Sequence, residues 1–230
     1  MELQDHAWNP LTSTEINKED RFCELGMVGG GVYILSFIGE SRHRFSQAAI
    51  CLIDKLLDQG KFFSDGMDVS NLRCTDRESA IGYLMSFQKL VGKLLTFHLP
   101  TMAVIRGHAV GAGCIFALAH DYRLMSSDHG HIFMNGVNLG MSLTPGIMSV
   151  LRTKLPISTF QERYSGKGTA AAGIVQATCP GTTLMQEGMK KALEHRARRW
   201  NREIYHALKM EMFKTTLQEL ENGGIGYARM

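Results

Sequence analysis

A glycine-rich segment, GHAVGAG at residues 107–113, lies between two apolar runs and carries glycine at positions 107, 111 and 113. Glycine lets the backbone approach another group closely, so such a turn can present bare N–H groups to an anion. The segment lacks the Gly-Lys-Ser/Thr ending of a nucleotide phosphate loop, and its spacing does not match G-x-G-x-x-G. We interpret it as a tight strand-to-helix turn that either packs the helix closely or holds an oxyanion.

A second small-residue turn, Ser64-Asp65-Gly66, follows an aromatic pair in the segment GKFFSDGMDVSNL at residues 60–72. Two separate turns that each offer one backbone N–H can hold a single negatively charged oxygen between them. We therefore expect the turn at residues 64–68 and the turn at residues 111–113 to converge in space.

The elements around these turns alternate between strands and helices, which predicts an α/β fold. Apolar spacing predicts helices over residues 46–58 and 81–95, and a buried helix over AGCIFALAHD. Strands are predicted at GVYILSF, MAVIR, YRLMS and HIFM, and Thr144-Pro145 is typical of a helix start. An apolar helical stripe in the C-terminal third indicates core or a subunit contact, its members being Met185, Met189, Ala192, Ala197, Trp200 and Ile204.

Composition excludes several classes of protein. The 230 residues are 44% apolar, which is enough to form the core of one large domain. The net charge is +3 with basic residues scattered outside 195–200, so we expect no nucleic-acid partner. The longest uncharged apolar stretch, 109–119, is too short to span a bilayer, so we expect no membrane partner either. Five cysteines without a C-x-x-C pair predict free thiols, namely Cys23, Cys51, Cys74, Cys114 and Cys179.

Six stretches carry a resemblance to a known family, and they occur in the family's order from about Val32 to Leu208. They are GESRHRF, GKFFSDGMDV, LPTMAVIRGHAVGAGCIFALAHDYRLM, VNLGMSLTPG, AAGIVQA and RRWNREIYHALK. The chain resembles the crotonase (enoyl-CoA hydratase/isomerase) superfamily, in particular its plant-type peroxisomal delta-3, delta-2 enoyl-CoA isomerases. The resemblance implies a spiral of ββα units over residues 26–180, after an N-terminal extension over 1–25 and before a C-terminal helical region over 181–230.

The resemblance also implies a substrate, a site and an assembly. The substrate is an acyl thioester of coenzyme A, with no further cofactor and no metal, and the C-terminal helices build a homotrimer or hexamer. The backbone N–H groups of Asp65 and Ala112 would polarise the thioester carbonyl. The implied substrate-binding residues are Ser64, Asp65, Gly66, Met67, Asp68 and Gly111.

The sequence departs from the family where a base is required. Gly136 stands where isomerases carry a glutamate, and Ile115 stands where hydratases carry an additional one. A glycine cannot move a proton, and the neighbouring amides of Asn135 and Asn138 have no usable pKa. Three residues nearby in the chain are open to a structural or a proton-transfer interpretation, namely His108, His120 and Asp121.

Two further departures concern the fold. The family's hydrophobic strand between LIDKLLDQ and GKFFSDG is missing, so one core strand is expected to be absent. Gln176 stands where the family usually has an acid. These features are consistent either with lost coding segments or with a relative that drifts away from catalysis.

Three functions stay open on this basis. The first is an enoyl-CoA isomerase of fatty-acid beta-oxidation that shifts a delta-3 double bond to trans delta-2. The second is a catalytically impaired acyl-CoA-binding paralogue or subunit partner, and the third is a hydratase-like enzyme. Ala228-Arg229-Met230 has the form of a C-terminal peroxisomal address. Candidates for the coenzyme phosphates are Arg198, Arg199 and Lys209, which could equally lie on a solvated helix face.

Overall fold

The computed structural model describes residues 9–10, 23–28, 32–37, 62–68, 76–136, 140, 142–160, 162–198, 200–222 and 224. For residues 9–10, 23–28, 32–37 and 62 it describes the backbone. The helix predicted over 46–58 lies outside these ranges.

Ten strands are described. They are β1 (Asn9–Pro10), β2 (Cys23–Val28), β3 (Val32–Phe37), β4 (Phe62–Ser64), β5 (Met102–Ile105), β6 (His108–Val110), β7 (Tyr122–Ser126), β8 (His131–Phe133), β9 (Tyr164–Ser165) and β10 (Ala177–Cys179). The strands predicted from GVYILSF, MAVIR, YRLMS and HIFM are confirmed as β3, β5, β7 and β8.

Seven α-helices are described. They are α1 (Arg77–Leu95), α2 (Ala112–Ala119), α3 (Pro145–Lys154), α4 (Gly166–Ala171), α5 (Leu184–Arg196), α6 (Arg202–Met212) and α7 (Lys214–Asn222). The Thr144 hydroxyl caps α3 by accepting from the Ile147 N–H at 3.3 Å, with Pro145 next, so the predicted start is confirmed. The helix ends at Lys154.

The strands form three sheets. The order β1-β2-β3 is antiparallel, β10-β7-β5 is parallel, and β4-β6-β8-β9 is parallel except at its β8–β9 edge. The strands alternate with helices along the chain, so the predicted α/β class is confirmed. Six strands were not predicted from the sequence, namely β1, β2, β4, β6, β9 and β10. Of these, β4 lies inside GKFFSDG and β6 inside GHAVGAG. Within the described residues β5 pairs with β7 alone, while residues 38–61, where the missing family strand would fall, lie outside the described ranges.

Helix α2 forms the centre of the core. Every residue from Gly113 to Ala119 is buried, because this helix is apolar on all sides and packs against α1, α3 and the strands β4 and β6. The C-terminal helix α7 packs on α1 and α3. In the part of the chain that the structure describes, no helix combines the length and apolar character needed to cross a membrane.

The predicted apolar stripe of the C-terminal third is wrong as a single face. Helix α5 ends at Arg196 and α6 begins at Arg202, so the first three members lie in α5, Ile204 lies in α6, and Ala197 and Trp200 lie in neither helix. Ala197 is exposed, and Ile204 is 58% exposed. The buried residues of α5 are instead Leu184 and Gly188, because these lie against the β10-β7-β5 sheet.

Candidate functional site

The glycine-rich segment is a strand followed by a one-residue turn. Residues 108–110 are β6, Gly111 turns with φ +55° and ψ −115°, and α2 begins at Ala112. The predicted strand-to-helix turn is confirmed, and the strand that precedes it, β6, pairs with both β4 and β8. The Gly111 N–H donates to the Phe133 carbonyl at 3.0 Å, which fixes the turn to the end of β8.

Gly111 adopts a backbone conformation that favours glycine. A Cβ at this position would lie 2.7 Å from the Asn135 Oδ1, so a side chain would also collide with that amide. The turn is therefore held in place by its backbone conformation and by Asn135.

The two small-residue turns converge, as the sequence predicts. A Cβ on Gly66, where φ is +90°, would lie 2.9 Å from the Val110 carbonyl oxygen and 3.1 Å from the Ala112 nitrogen. A Cβ on Gly113 would lie 2.8 Å from the Ser64 Cβ. Only glycine at both positions lets two backbones approach this closely.

The first turn of α2 supplies a candidate donor. Ala112 is the first helical residue, so its N–H has no acceptor within the helix. Among the residues that the structure describes, none accepts a hydrogen bond from this N–H. The positive end of the helix dipole lies behind it and favours a negative charge. That the N–H groups of Asp65 and Ala112 face one pocket stays a prediction.

The turn at residues 64–68 is anchored on both sides. The Gly66 N–H donates to the Ser64 hydroxyl at 3.2 Å, and the Asp68 N–H donates to the Tyr83 hydroxyl at 3.1 Å. Burial raises the pKa of Tyr83 to about 12, so its hydroxyl stays protonated near neutral pH. Nothing in the sequence singles out Tyr83, because it lies 15 residues from its partner on a helix whose apolar spacing accounts for it. Met67 is half-buried and packs against the core.

Gly136 lies beside the converging turns. Strand β8 pairs with β6, and Asn135, which precedes Gly136, contacts Gly111. The structure thus brings position 136 next to the turns, and the glycine there carries no proton-transfer group.

The other residues considered for proton transfer have structural positions. Ile115 is 1% exposed in the core. His120 is buried with its Nδ1 2.9 Å from the Phe116 carbonyl oxygen, and burial lowers its pKa to about 4. His108 begins β6, at the opposite end of that strand from Gly111, and its ring stacks on His131.

Asp121 belongs to an ion pair rather than to the site. Its carboxylate accepts from the Thr101 N–H at 2.8 Å and pairs with Lys209 at 2.8 Å. Lys209 is 3% exposed, so neither expectation for it holds: it cannot reach the phosphates of a coenzyme, and it does not lie on a solvated face. Arg198 is exposed, and Arg199 and Asn138 lie outside the described residues.

Gln176 has a structural role. Its Oε1 accepts from the Arg123 N–H at 2.7 Å, and the Arg123 Nε donates to the Ile174 carbonyl at 2.7 Å. Arg123 is 5% exposed and joins β7 to the segment that leads into β10. The described cysteine side chains, Cys114 and Cys179, are free thiols as predicted.

The chain is thus an α/β protein in which a buried helix follows a glycine turn and a second small-residue turn lies against that helix. The family model described as "Enoyl-CoA hydratase/isomerase" matches residues 56–225, and the chain belongs to this family. Enoyl-CoA delta isomerase 2, peroxisomal, of Arabidopsis thaliana is 26% identical over 216 residues, which are 80% of this chain and 89% of that protein. Enoyl-CoA delta isomerase 3 of the same plant is 28% identical over 215 residues, with the same coverage of both chains.

Solved structures support the fold. The human mitochondrial delta3-delta2-enoyl-CoA isomerase superposes with a TM-score of 0.79 at 18% identity, covering 87% of this chain and 86% of that one. At this identity the likeness extends to the fold alone.

Proposed function

We propose that this protein binds acyl-CoA thioesters at the converging turns and acts as an enoyl-CoA isomerase that shifts a delta-3 double bond to trans delta-2. The observation that carries the proposal is the close approach of Gly66 to Ala112, since a Cβ on Gly66 would lie 3.1 Å from the Ala112 nitrogen. We expect the Asp65 and Ala112 N–H groups to face one pocket there. Two such donors stabilise the negative charge that forms on the thioester oxygen when a C2 proton leaves. Returning that proton to C4 completes the shift of the double bond.

The expected turnover is low because position 136 is glycine. General-base action contributes about 10²- to 10⁴-fold to the rate of proton transfer, and this residue cannot supply it. Relatives named enoyl-CoA delta isomerase, at 26% and 28% identity, support the reaction class.

The test combines turnover and binding on the purified full chain. Turnover of a delta-3 enoyl-CoA is followed by the absorbance of the conjugated product, and binding of a saturated acyl-CoA by calorimetry. The variant Gly66→Ala, which forces a methyl group between the turns, should weaken binding strongly, since its Cβ would meet Val110 and Ala112. Gly82→Ala, where a Cβ meets nothing within 4 Å, is the matched control. Equal affinity of both variants for acyl-CoA would refute the site.

Gly136 also favours a second function, an acyl-CoA-binding protein or subunit partner without turnover. The turns would then hold the thioester while no group removes its proton. Acyl-CoA binding together with turnover no faster than the buffer reaction would select this function over the isomerase. A hydratase-like activity has less support, because Ile115 carries no acid and is buried in the core.

The assembly we propose is a homotrimer or hexamer. Helix α6 leaves apolar side chains in solvent, with Leu208 61% and Met212 71% exposed, and an oligomer contact would cover them. Sedimentation of the wild-type chain and of Leu208→Glu tests this proposal. A wild-type monomer would refute it.

A peroxisomal location is part of the proposal. It is supported by the name of one relative described above, which includes "peroxisomal", and by the form of Ala228-Arg229-Met230, which lies outside the described residues. A fluorescent protein fused at the N-terminus should enter peroxisomes, and residues added after Met230 should leave it in the cytosol. A cytosolic signal from both fusions would exclude this address.

A further inference from the structure

Asn135 is a polar side chain placed against the oxyanion-type turn. It follows β8 and precedes Gly136, it is half-buried, and its Oδ1 lies 2.7 Å from the position that a Cβ of Gly111 would occupy. Gly111 is joined directly to Ala112, whose N–H is the candidate donor. The Asn135 side-chain amide therefore contacts the residue next to Ala112, whose nitrogen would bind the thioester oxygen.

The amide of Asn135 has hydrogen-bonding capacity that the fold does not use. No hydrogen bond joins this side chain to another residue in the part of the chain that the structure describes. The buried amide of Gln88, in contrast, accepts from the Thr144 hydroxyl at 2.6 Å. An asparagine amide carries two N–H donors, and half-buried donors favour a partner.

We infer that Asn135 donates its side-chain N–H to the carbonyl oxygen of a bound acyl thioester, as a third donor beside the two backbone N–H groups. The inference rests on the proposed acyl-CoA site. Two donors that share one acceptor stand within about 6 Å of each other, since each N···O distance is about 2.9 Å. The Asn135 Oδ1 lies 2.7 Å from the position of a Gly111 Cβ, so the amide group is next to the residue that precedes Ala112.

The role of Asn135 is to position the thioester and to stabilise charge on its oxygen. An amide does not ionise near neutral pH, so Asn135 cannot replace the missing base at position 136. It strengthens the hold on the carbonyl oxygen. The ligand that this role requires carries a carbonyl oxygen, as the acyl thioester of the proposed function does.

The test compares two ligands that differ in one oxygen. Dissociation constants are measured by calorimetry for an acyl-CoA and for the S-alkyl-CoA thioether of equal chain length, which lacks the carbonyl oxygen. Wild type should prefer the thioester. Asn135→Ala should weaken thioester binding about three- to tenfold, the range of one hydrogen bond, and should change thioether binding less than about twofold. Asn222→Ala, at the exposed end of α7, is the matched control and should change neither.

Asn135→Asp keeps the size of the side chain and serves as a second variant, because its carboxylate repels the carbonyl oxygen. It should weaken thioester binding at least as much as Asn135→Ala does. Thermal unfolding verifies that each variant is folded. A thioester preference that is as large in both variants as in wild type, or an equal loss for both ligands, would overturn the role of Asn135. A wild-type protein that binds the two ligands equally would instead refute the proposed carbonyl site.

Discussion

Lys209 and Asp121 form a buried ion pair between α6 and the end of α2. The Lys209 Nζ lies 2.8 Å from the Asp121 Oδ1, and the two side chains are 4% and 12% exposed. Lys209 also donates to the Phe97 carbonyl at 3.1 Å. The pair attaches α6 to the body of the protein.

Lys209→Met should therefore destabilise the fold strongly. It leaves the Asp121 carboxylate buried without its cation, which typically costs about 3–5 kcal/mol in the free energy of unfolding. Guanidinium unfolding measures the change. Lys214→Met is the control, because Lys214 pairs with Glu211 in solvent, with exposures of 62% and 76%. It should change stability by less than about 1 kcal/mol. Equal effects of the two variants would contradict a structural role for the buried pair.

Gly136→Glu should raise isomerase activity. The new carboxylate supplies the base that the proposed mechanism lacks, and the apolar neighbour Met134 packs against the core, which favours a raised pKa and a better base. The expected gain in the rate with a delta-3 enoyl-CoA is about 10²- to 10⁴-fold.

Gly136→Gln is the matched control for that gain, since it has the shape of glutamate without its basicity. It should remain as slow as wild type. If wild type already turns over at a rate typical of enzymes and Gly136→Glu is no faster, another residue is the base and the placement of the active site is wrong.

Gly111→Ala should lower the free energy of unfolding more than Gly140→Ala does. Both glycines have positive φ, +55° and +63°, so both substitutions strain the backbone. A Cβ at Gly140 meets nothing within 4 Å, whereas one at Gly111 meets the Asn135 Oδ1. We expect Gly111→Ala to lower the free energy of unfolding by about 1–3 kcal/mol more than the control does. Urea unfolding of both variants measures the difference, and equal losses would contradict the close contact.

Stability should fall as the pH falls from about 6.5 to about 4 because of His120. Burial holds the folded pKa near 4, below the ordinary value of 6.5, so in this window the unfolded chain binds a proton that the folded chain does not. The contribution of neutral His120 to the free energy of unfolding is fully present above pH 6.5. Its loss is about 3 kcal/mol once the pH reaches 4, since one pKa unit corresponds to about 1.4 kcal/mol.

Denaturant unfolding at several pH values checks this dependence. His120→Gln cannot titrate, so the difference in stability between wild type and this variant should shrink or reverse as the pH falls through the window. Other titrating groups act on both proteins and cancel in the comparison. A difference that does not vary with pH would contradict the assignment to His120.

The sequence by itself determined the local elements and the lack of an ionisable side chain at position 136. Apolar periodicity fixed α1 and α2, the Thr144-Pro145 pair fixed the start of α3, and the residue types showed two small-residue turns and a glycine where a base is needed. These signals act over a few residues, so they can be recognised without knowing the rest of the fold.

The tertiary structure decided which distant residues meet. Lys209 and Asp121 are 88 residues apart, and Lys209 was expected either at the coenzyme phosphates or on a solvated helix face. Asn135 meets Gly111 because β6 and β8 pair, and Gln176 meets Arg123 because the segment before β10 runs beside β7. A residue's type shows what it can bond to, but sheet pairing and helix packing select its partner.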